Sequence, residues 1–202
     1  GWENYTERIK IHWNRLVKNG DTVALPGDFS WGLKLSDTLE DFKFLETLPG
    51  NKILLKGNHY LWWSTVKKVT EFFEQNNINS VKLLFNNAYK IENMVICGTR
   101  GWFYDMNEED KIRKREVGRL RLSLNAAEEL EGEKTVFLHY PPVYGEYVCN
   151  DIISVLKEFN IKTVYHGHIH GVGFNSTVSE YDGINFKLIS ADCIDFTPFL
   201  VV

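Results

Sequence analysis

Apolar residues fall along this chain in two alternating patterns, stripes at helical spacing and short unbroken runs, which take turns from one end to the other. Trp2, Tyr5, Ile9, Trp13, Leu16 and Val17 lie on one helical stripe, which stops at Asn19-Gly20, a sequence suited to a C-terminal cap. Thr22 to Leu25 is a short apolar run and predicts a strand that opens into Pro26-Gly27-Asp28. Ser36 is placed to cap a second helix with the apolar face Leu39, Phe42, Leu45 and Leu48, ended by Pro49-Gly50. Ile53, Leu54 and Leu55 show no polar alternation, which suits a strand buried on both faces, and they run into Gly57-Asn58-His59. Strand, helix and strand in this order make a βαβ unit. Its parallel strands bring Asp28 and Asn58 to the same edge of a sheet.

The same reading continues through the second half. Ser64 caps a helix carrying Val66, Val69, Phe72 and Phe73, and Val81 to Phe85 and Met94 to Cys97 are strands. Asn107 followed by Glu108, Glu109 and Asp110 is a helix start with acidic residues where the helix dipole favours them, and the helix runs to about Leu130. Its basic residues, Lys111, Arg113, Lys114, Arg115, Arg119 and Arg121, are interleaved with acids and with the apolar line Val117, Leu120, Leu124, Ala127, the pattern of a solvated helix face. Thr135 to Leu138 predicts a buried strand ending in His139-Tyr140-Pro141-Pro142. Asp151 to Phe159 is a short amphipathic helix, and Thr163 to Tyr165 a strand that opens into His166-Gly167-His168-Ile169-His170-Gly171. Ile184 to Ile189 and Phe199 to Val202 read as strands. The fold class is α/β, and 202 residues with no repeat or low-complexity linker fit one domain over the whole length.

Composition narrows the function classes. A hydrophobic fraction of 44% with 14% aromatic residues is globular, and a formal charge of -4 argues against binding nucleic acid through bulk charge. Cys97, Cys149 and Cys193 are odd in number, far apart and without C-x-x-C spacing, which points to a reducing, cytoplasmic setting and away from a thiolate zinc site. No apolar stretch approaches the roughly 20 residues of a membrane-spanning helix, so no membrane partner is expected.

The candidate chemistry lies in where the histidines fall. Five of the six, all but His12, come just after short apolar runs, as do Asp28 and Asn58. Packing does not account for Asp, Asn and several imidazoles gathered at strand ends, where open α/β sheets bind ligands. Oxygen and imidazole donors without thiolate suit Mn, Fe or Zn. In an extended His168-Ile169-His170 segment both imidazoles leave on one side and serve one metal or two neighbouring ones.

Gly27-Asp28, Gly57-Asn58-His59, an isolated His139 after a strand and Gly167-His168-x-His170, in this order and spacing, resemble the calcineurin-like metallophosphoesterases over nearly the whole chain. The Gly-Asn-His-x-x-Trp-Trp-Ser stretch, His-Tyr-Pro-Pro and the closing Ser190-Ala191-Asp192 to Asp195-Phe196 segment are similar to a bacterial group of predicted phosphohydrolases of undefined substrate. The resemblance implies a four-layer α/β/β/α sandwich with two divalent transition metal ions, Mn, Fe or Zn, between the sheet ends. It also implies that Asp28 bridges both metals, that Asn58, His139 and His168 complete one site, and that His170 ligates the other. His59 would be the general acid in hydrolysis of a phosphate monoester or diester by metal-activated hydroxide. Arg100, in a loop after a strand, is a candidate phosphate contact.

Two departures accompany the resemblance. The Asp-x-His motif of the family's opening strand is absent, so the second metal site is expected to be incomplete in this chain. Either the first strand has been lost or upstream residues carry it. Tyr60 stands where the family usually has an acid that orients the catalytic imidazole, and slower chemistry is expected. A degenerate member that binds metal or a phosphorylated ligand without turnover is the competing expectation.

Overall fold

The computed structural model describes residues 1–102, 110–172 and 177–201. In chain order the elements are α1 (Tyr5–Leu16), β1 (Thr22–Leu25), a 3-10 turn (Leu35–Thr38) leading into α2 (Leu39–Thr47), β2 (Asn51–Leu55), α3 (Val66–Gln75) and β3 (Val81–Leu84). There follow β4 (Tyr89–Ile91), β5 (Met94–Thr99), α4 (Asp110–Glu128), β6 (Glu133–Leu138), the hairpin β7 (Val143–Tyr144) and β8 (Tyr147–Val148), α5 (Asn150–Glu158), β9 (Thr163–His166), β10 (Glu180–Tyr181) and β11 (Ile184–Leu188). One sheet has the order β1-β2-β3, all parallel. The other has the order β10-β11-β9-β6-β5-β4, with four parallel central strands and an antiparallel strand at each edge.

Strand side chains alternate between faces with a period of two, and that alternation builds the layers. On β2, Leu54 faces a cluster with Trp13, Phe42, Leu45, Val69 and Phe73 from α1, α2 and α3, while Ile53 and Leu55 face the opposite way. On β6, Val136 and Leu138 pack with Leu120, Leu124, Ile152 and Leu156 from α4 and α5, while Phe137 turns inward. The inward residues Ile53, Leu55, Leu84, Ile96, Phe137 and Tyr165 form a third cluster, with both sheets contributing. The result is helices, sheet, sheet, helices, the four-layer α/β/β/α sandwich. Leu54, Leu55 and Phe137 are each at most 1% exposed, so truncating any of them to Ala costs about 2–5 kcal/mol.

Several local expectations are corrected. Ser36 lies within the 3-10 turn, where the Asp37 carboxylate, not the Ser36 hydroxyl, accepts from the Lys34 N–H at 3.0 Å. Thr65, not Ser64, caps α3, accepting from the Lys68 N–H at 3.2 Å. Residues 199–201 form no strand, and Val202 lies outside the described residues, as do Asn107, Glu108 and Glu109 of the expected helix start. The basic face of α4 is paired locally: Arg113 with Asp110 and Asp151, Arg119 with Glu116, and Arg121 with Glu158. No helix among the described residues is long and apolar enough to cross a membrane.

Candidate metal centre

The two sheets deliver their polar ends to one place. Asp28 follows β1 and Asn58 follows β2 in the smaller sheet, and His139 follows β6 and His168 follows β9 in the larger. Backbone bonds from His139 N to Thr99 O (3.3 Å) and from Gly167 N to His139 O (3.1 Å) carry the ladder past the strand ends and fix this edge. Asp28, His139 and His168 offer ligand atoms that all lie within 4.8 Å of one another. Asn58 Oδ1 stands 2.6 Å from His139 Nε2 and 3.1 Å from His168 Nδ1, and Asp28 Oδ2 is 3.4 Å from His139 Nε2.

The backbone is shaped for this contact. Asp28 (φ 55°) and His168 (φ 69°) adopt the left-handed region, unusual for residues with a side chain and typical of places where structure is held for a purpose. Gly57 is required by proximity, since a Cβ there would come 1.9 Å from Asp28 Oδ1; one on Gly27 would come 2.7 Å from His139 Nδ1. His168 is therefore not part of an extended segment, and Ile169 N closes a tight turn onto Gly167 O at 2.9 Å. The expected parallel exit of His168 and His170 is corrected: His168 faces Asn58, whereas His170 Nδ1 lies 2.6 Å from Asp192 Oδ1.

The protonation states test whether these residues fit a metal. Pro26 O, 2.9 Å from His139 Nδ1, can only accept, so Nδ1 carries the imidazole proton and Nε2 presents a lone pair. Burial, with the neighbouring His168 adding to it, pushes the His139 pKa down to about 3, so the ring is neutral. A lone pair thus faces the carbonyl oxygen of Asn58 at 2.6 Å and a carboxylate oxygen of Asp28 at 3.4 Å with no proton between them. Burial raises the pKa of Asp28, a carboxylate held in a poorly solvated place. His139 Nε2, the Asn58 carbonyl oxygen and the Asp28 carboxylate are acceptors brought close together, the kind of group a divalent cation takes as ligands, and the oxygen and imidazole set fits Mn, Fe or Zn.

A model of the calcineurin-like phosphoesterase family matches residues 2–172. The chain belongs to this family. Among solved structures, a protein of unknown function from Aquifex aeolicus is similar at 17% identity and a TM-score of 0.55, over 98% of this chain and 82% of that one. A second is similar at 11% identity and a TM-score of 0.54, over 76% of this chain and 62% of that one. At these identities the likeness concerns the fold alone. No curated protein matches the chain.

Around the centre the other singled-out residues take distinct places. The backbone N–H of His59 donates to Asp28 Oδ1 at 3.0 Å, and its ring lies against Trp31, with ring centroids 3.9 Å apart. Tyr60 is 3% exposed, and its hydroxyl accepts from Phe29 N at 2.9 Å, tethering the loop that carries Asp28; burial drives its phenol well above the ordinary range. Trp62 Nε1 donates to Ser30 O at 3.1 Å and ties the same loop down. Arg100 lies 3.4 Å from Glu116 Oε1 and over the ring of Tyr140, whose centroid is 4.5 Å from that of His168. His12 is occupied elsewhere, with Nδ1 2.8 Å from Thr197 Oγ1. The sequence reading assigned no role to Trp31 and singled out Asp192 only within the closing segment. Trp31 had a signal, a large aromatic three residues beyond Asp28, whereas nothing in the sequence marks Asp192 as the partner of His170.

Proposed function

We propose that this chain is a metal-dependent phosphoesterase hydrolysing a phosphate monoester or diester. The observation that carries the reading is His139 Nε2 facing Asn58 Oδ1 at 2.6 Å, beside Asp28 and His168, at the meeting edge of two sheets. Asp28, Asn58, His139 and His168 hold one divalent metal, and His170 belongs to a second position. A bound divalent metal supplies Lewis acidity there, lowering the pKa of water and drawing charge from the phosphoryl oxygens. His59 protonates the leaving oxygen, and its backbone N–H, which donates to Asp28 Oδ1, supports a place for it next to the metal ligands. Arg100 contributes charge beside the phosphate.

The test is hydrolysis of p-nitrophenyl phosphate and bis-p-nitrophenyl phosphate by metal-stripped protein reloaded with Mn, Fe or Zn. Turnover that needs the metal and is lost in His139→Ala supports the reading, and the preferred ester separates monoesterase from diesterase.

A second reading, metal binding without turnover, is favoured by one observation. His170 is engaged by Asp192, and the compact ligand group among the described residues is the single one at Asp28, His139 and His168. Tight metal binding with no hydrolysis of either ester would select it.

A further inference from the structure

Close to the centre the chain gathers a group of cations, of which the proposed chemistry draws only on Arg100. Lys56 leaves the end of β2 just before Gly57-Asn58, and Arg100 leaves the end of β5 beside His139-Tyr140, where Tyr140 N donates to Arg100 O at 2.8 Å. Arg119 joins them from α4, through Glu116. Aromatic rings link the group: Lys56 Nζ lies 6.0 Å from the Trp63 ring, Trp63 lies 5.9 Å from Phe85, and Arg119 lies 4.9 Å from Phe85. Arg100 and Arg119 converge on one oxygen of Glu116, at 3.4 and 2.6 Å, and the other oxygen takes the Thr99 hydroxyl at 3.2 Å.

We propose that Lys56, Arg100 and Arg119 form an anion subsite that takes a second phosphate group of the substrate, adjacent to the scissile one. This rests on the phosphoesterase reading and narrows its substrate class to esters whose leaving group is itself phosphorylated. The side chains of Arg100 and Arg119 are 13% and 24% exposed, so these are not solvated surface arms. Glu116 is fully buried and is the carboxylate they share, while Lys56 has no ion-pair partner among the described residues. Like charges repel strongly away from water, and two guanidiniums on one carboxylate, with Lys56 linked to them through Trp63 and Phe85, leave an excess of positive charge that a multivalent anion offsets. Arg100 also has a donor to spare: its Nε is buried without an acceptor, and its bond to Glu116 is long. A guanidinium fork with unfilled donors matches phosphate oxygens. The position fits a second phosphate, since Arg100 is separated from the candidate metal ligands by the single ring of Tyr140, 4.9 Å from His139.

The probe is inorganic pyrophosphate, titrated by calorimetry into metal-stripped protein, so the result does not depend on catalysis. The wild type is expected to bind it, and Lys56→Gln and Arg119→Gln each to weaken binding about tenfold, the loss of one charge-assisted contact. Glu116→Gln is expected to tighten it, a direction that general damage to the fold does not produce, and Arg119→Lys to restore much of the affinity lost in Arg119→Gln. No binding by the wild type, or an unchanged affinity in both glutamine variants, would overturn the proposal. Neither result touches hydrolysis of p-nitrophenyl phosphate, which tests the phosphoesterase reading separately.

Discussion

The indole of Trp31 lies flat on the imidazole of His59, with ring centroids 3.9 Å apart and planes 10° off parallel. Trp31 is 68% exposed, so this ring is spent on a contact at the mouth of the site and not on the core. Stacking fixes the plane of the His59 ring. Such ring pairs contribute about 0.5–1.5 kcal/mol, so Trp31→Ala should lower kcat on alkyl phosphates by roughly three- to tenfold. Trp31→Phe should retain most of the rate. Metal content in both variants should equal that of the wild type; a parallel loss of metal would make Trp31 a scaffold of the centre and not a positioning residue for His59.

The acid role proposed for His59 is separable from the ligand role proposed for its neighbour Asn58. His59→Ala should leave metal bound and slow alkyl phosphate hydrolysis by about 10²- to 10⁴-fold. Hydrolysis of p-nitrophenyl phosphate, whose leaving group needs little protonation, should fall far less. Steady-state rates on the two esters decide it, and equal losses would count against the role.

Asp28 shows a conflict between stability and binding. Burial disfavours the charged form of its carboxyl and raises its pKa, so an isosteric amide should suit the metal-free fold better. Asp28→Asn should raise the melting temperature of metal-free protein by roughly 2–4 °C for each kcal/mol relieved, and it should abolish tight metal retention. Calorimetric scans with and without metal measure both effects. A lower melting temperature in the metal-free state would mean that the bond from His59 N outweighs the burial of charge.

Much of this site was legible because short apolar runs each end in a residue with a donor atom. Leu25 leads to Asp28, Leu55 to Asn58, Leu138 to His139 and His166 to His168. The four layers were legible only through the family resemblance. Periodicity located β1, β2, β6 and β9, but that they divide between two sheets follows from pairing, as when Val136 and Val164 come opposite each other. Ladders of two or three residues such as β4, β7, β8 and β10 carry no hydrophobic run to read. The helix starts were misplaced because Asp37 and Thr65, and not the neighbouring serines, accept the N–H groups of Lys34 and Lys68. Tyr60 was read as a poor substitute for an acid facing His59, whereas its hydroxyl meets the backbone of Phe29 in another loop. Such long-range contacts have no signature in spacing.

Acid should weaken the metal-free fold through His166, which is fully buried with Nε2 unpartnered. Burial pushes its pKa down to about 4, from the ordinary 6.5. Above pH 6.5 both folded and unfolded states are neutral at this group. As pH falls from 6.5 towards 4 the unfolded chain takes up the proton and the folded chain does not, so stability drops by about 1.4 kcal/mol per pH unit. His139 acts with the same sign down to about 3, while Asp28, whose pKa is raised, acts with the opposite sign. Urea unfolding of metal-free protein across this range should show a shallower pH dependence in His166→Gln than in the wild type. Identical slopes would mean that His166 is protonated in the folded state.

The central claim is that the lone pairs of His139 Nε2, Asn58 Oδ1, Asp28 and His168 converge on a divalent metal. The most direct measurement is a calorimetric titration of metal-stripped protein with Mn²⁺ and Zn²⁺, run alongside Asn58→Ala and His139→Ala. The account predicts at least one tight site per chain in the wild type, with affinity lowered tenfold or more in Asn58→Ala and lost in His139→Ala. Were the Asn58 amide turned over, its N–H groups would satisfy both imidazoles without any ion, and the wild type and Asn58→Ala would then bind metal equally weakly; that result would contradict the account.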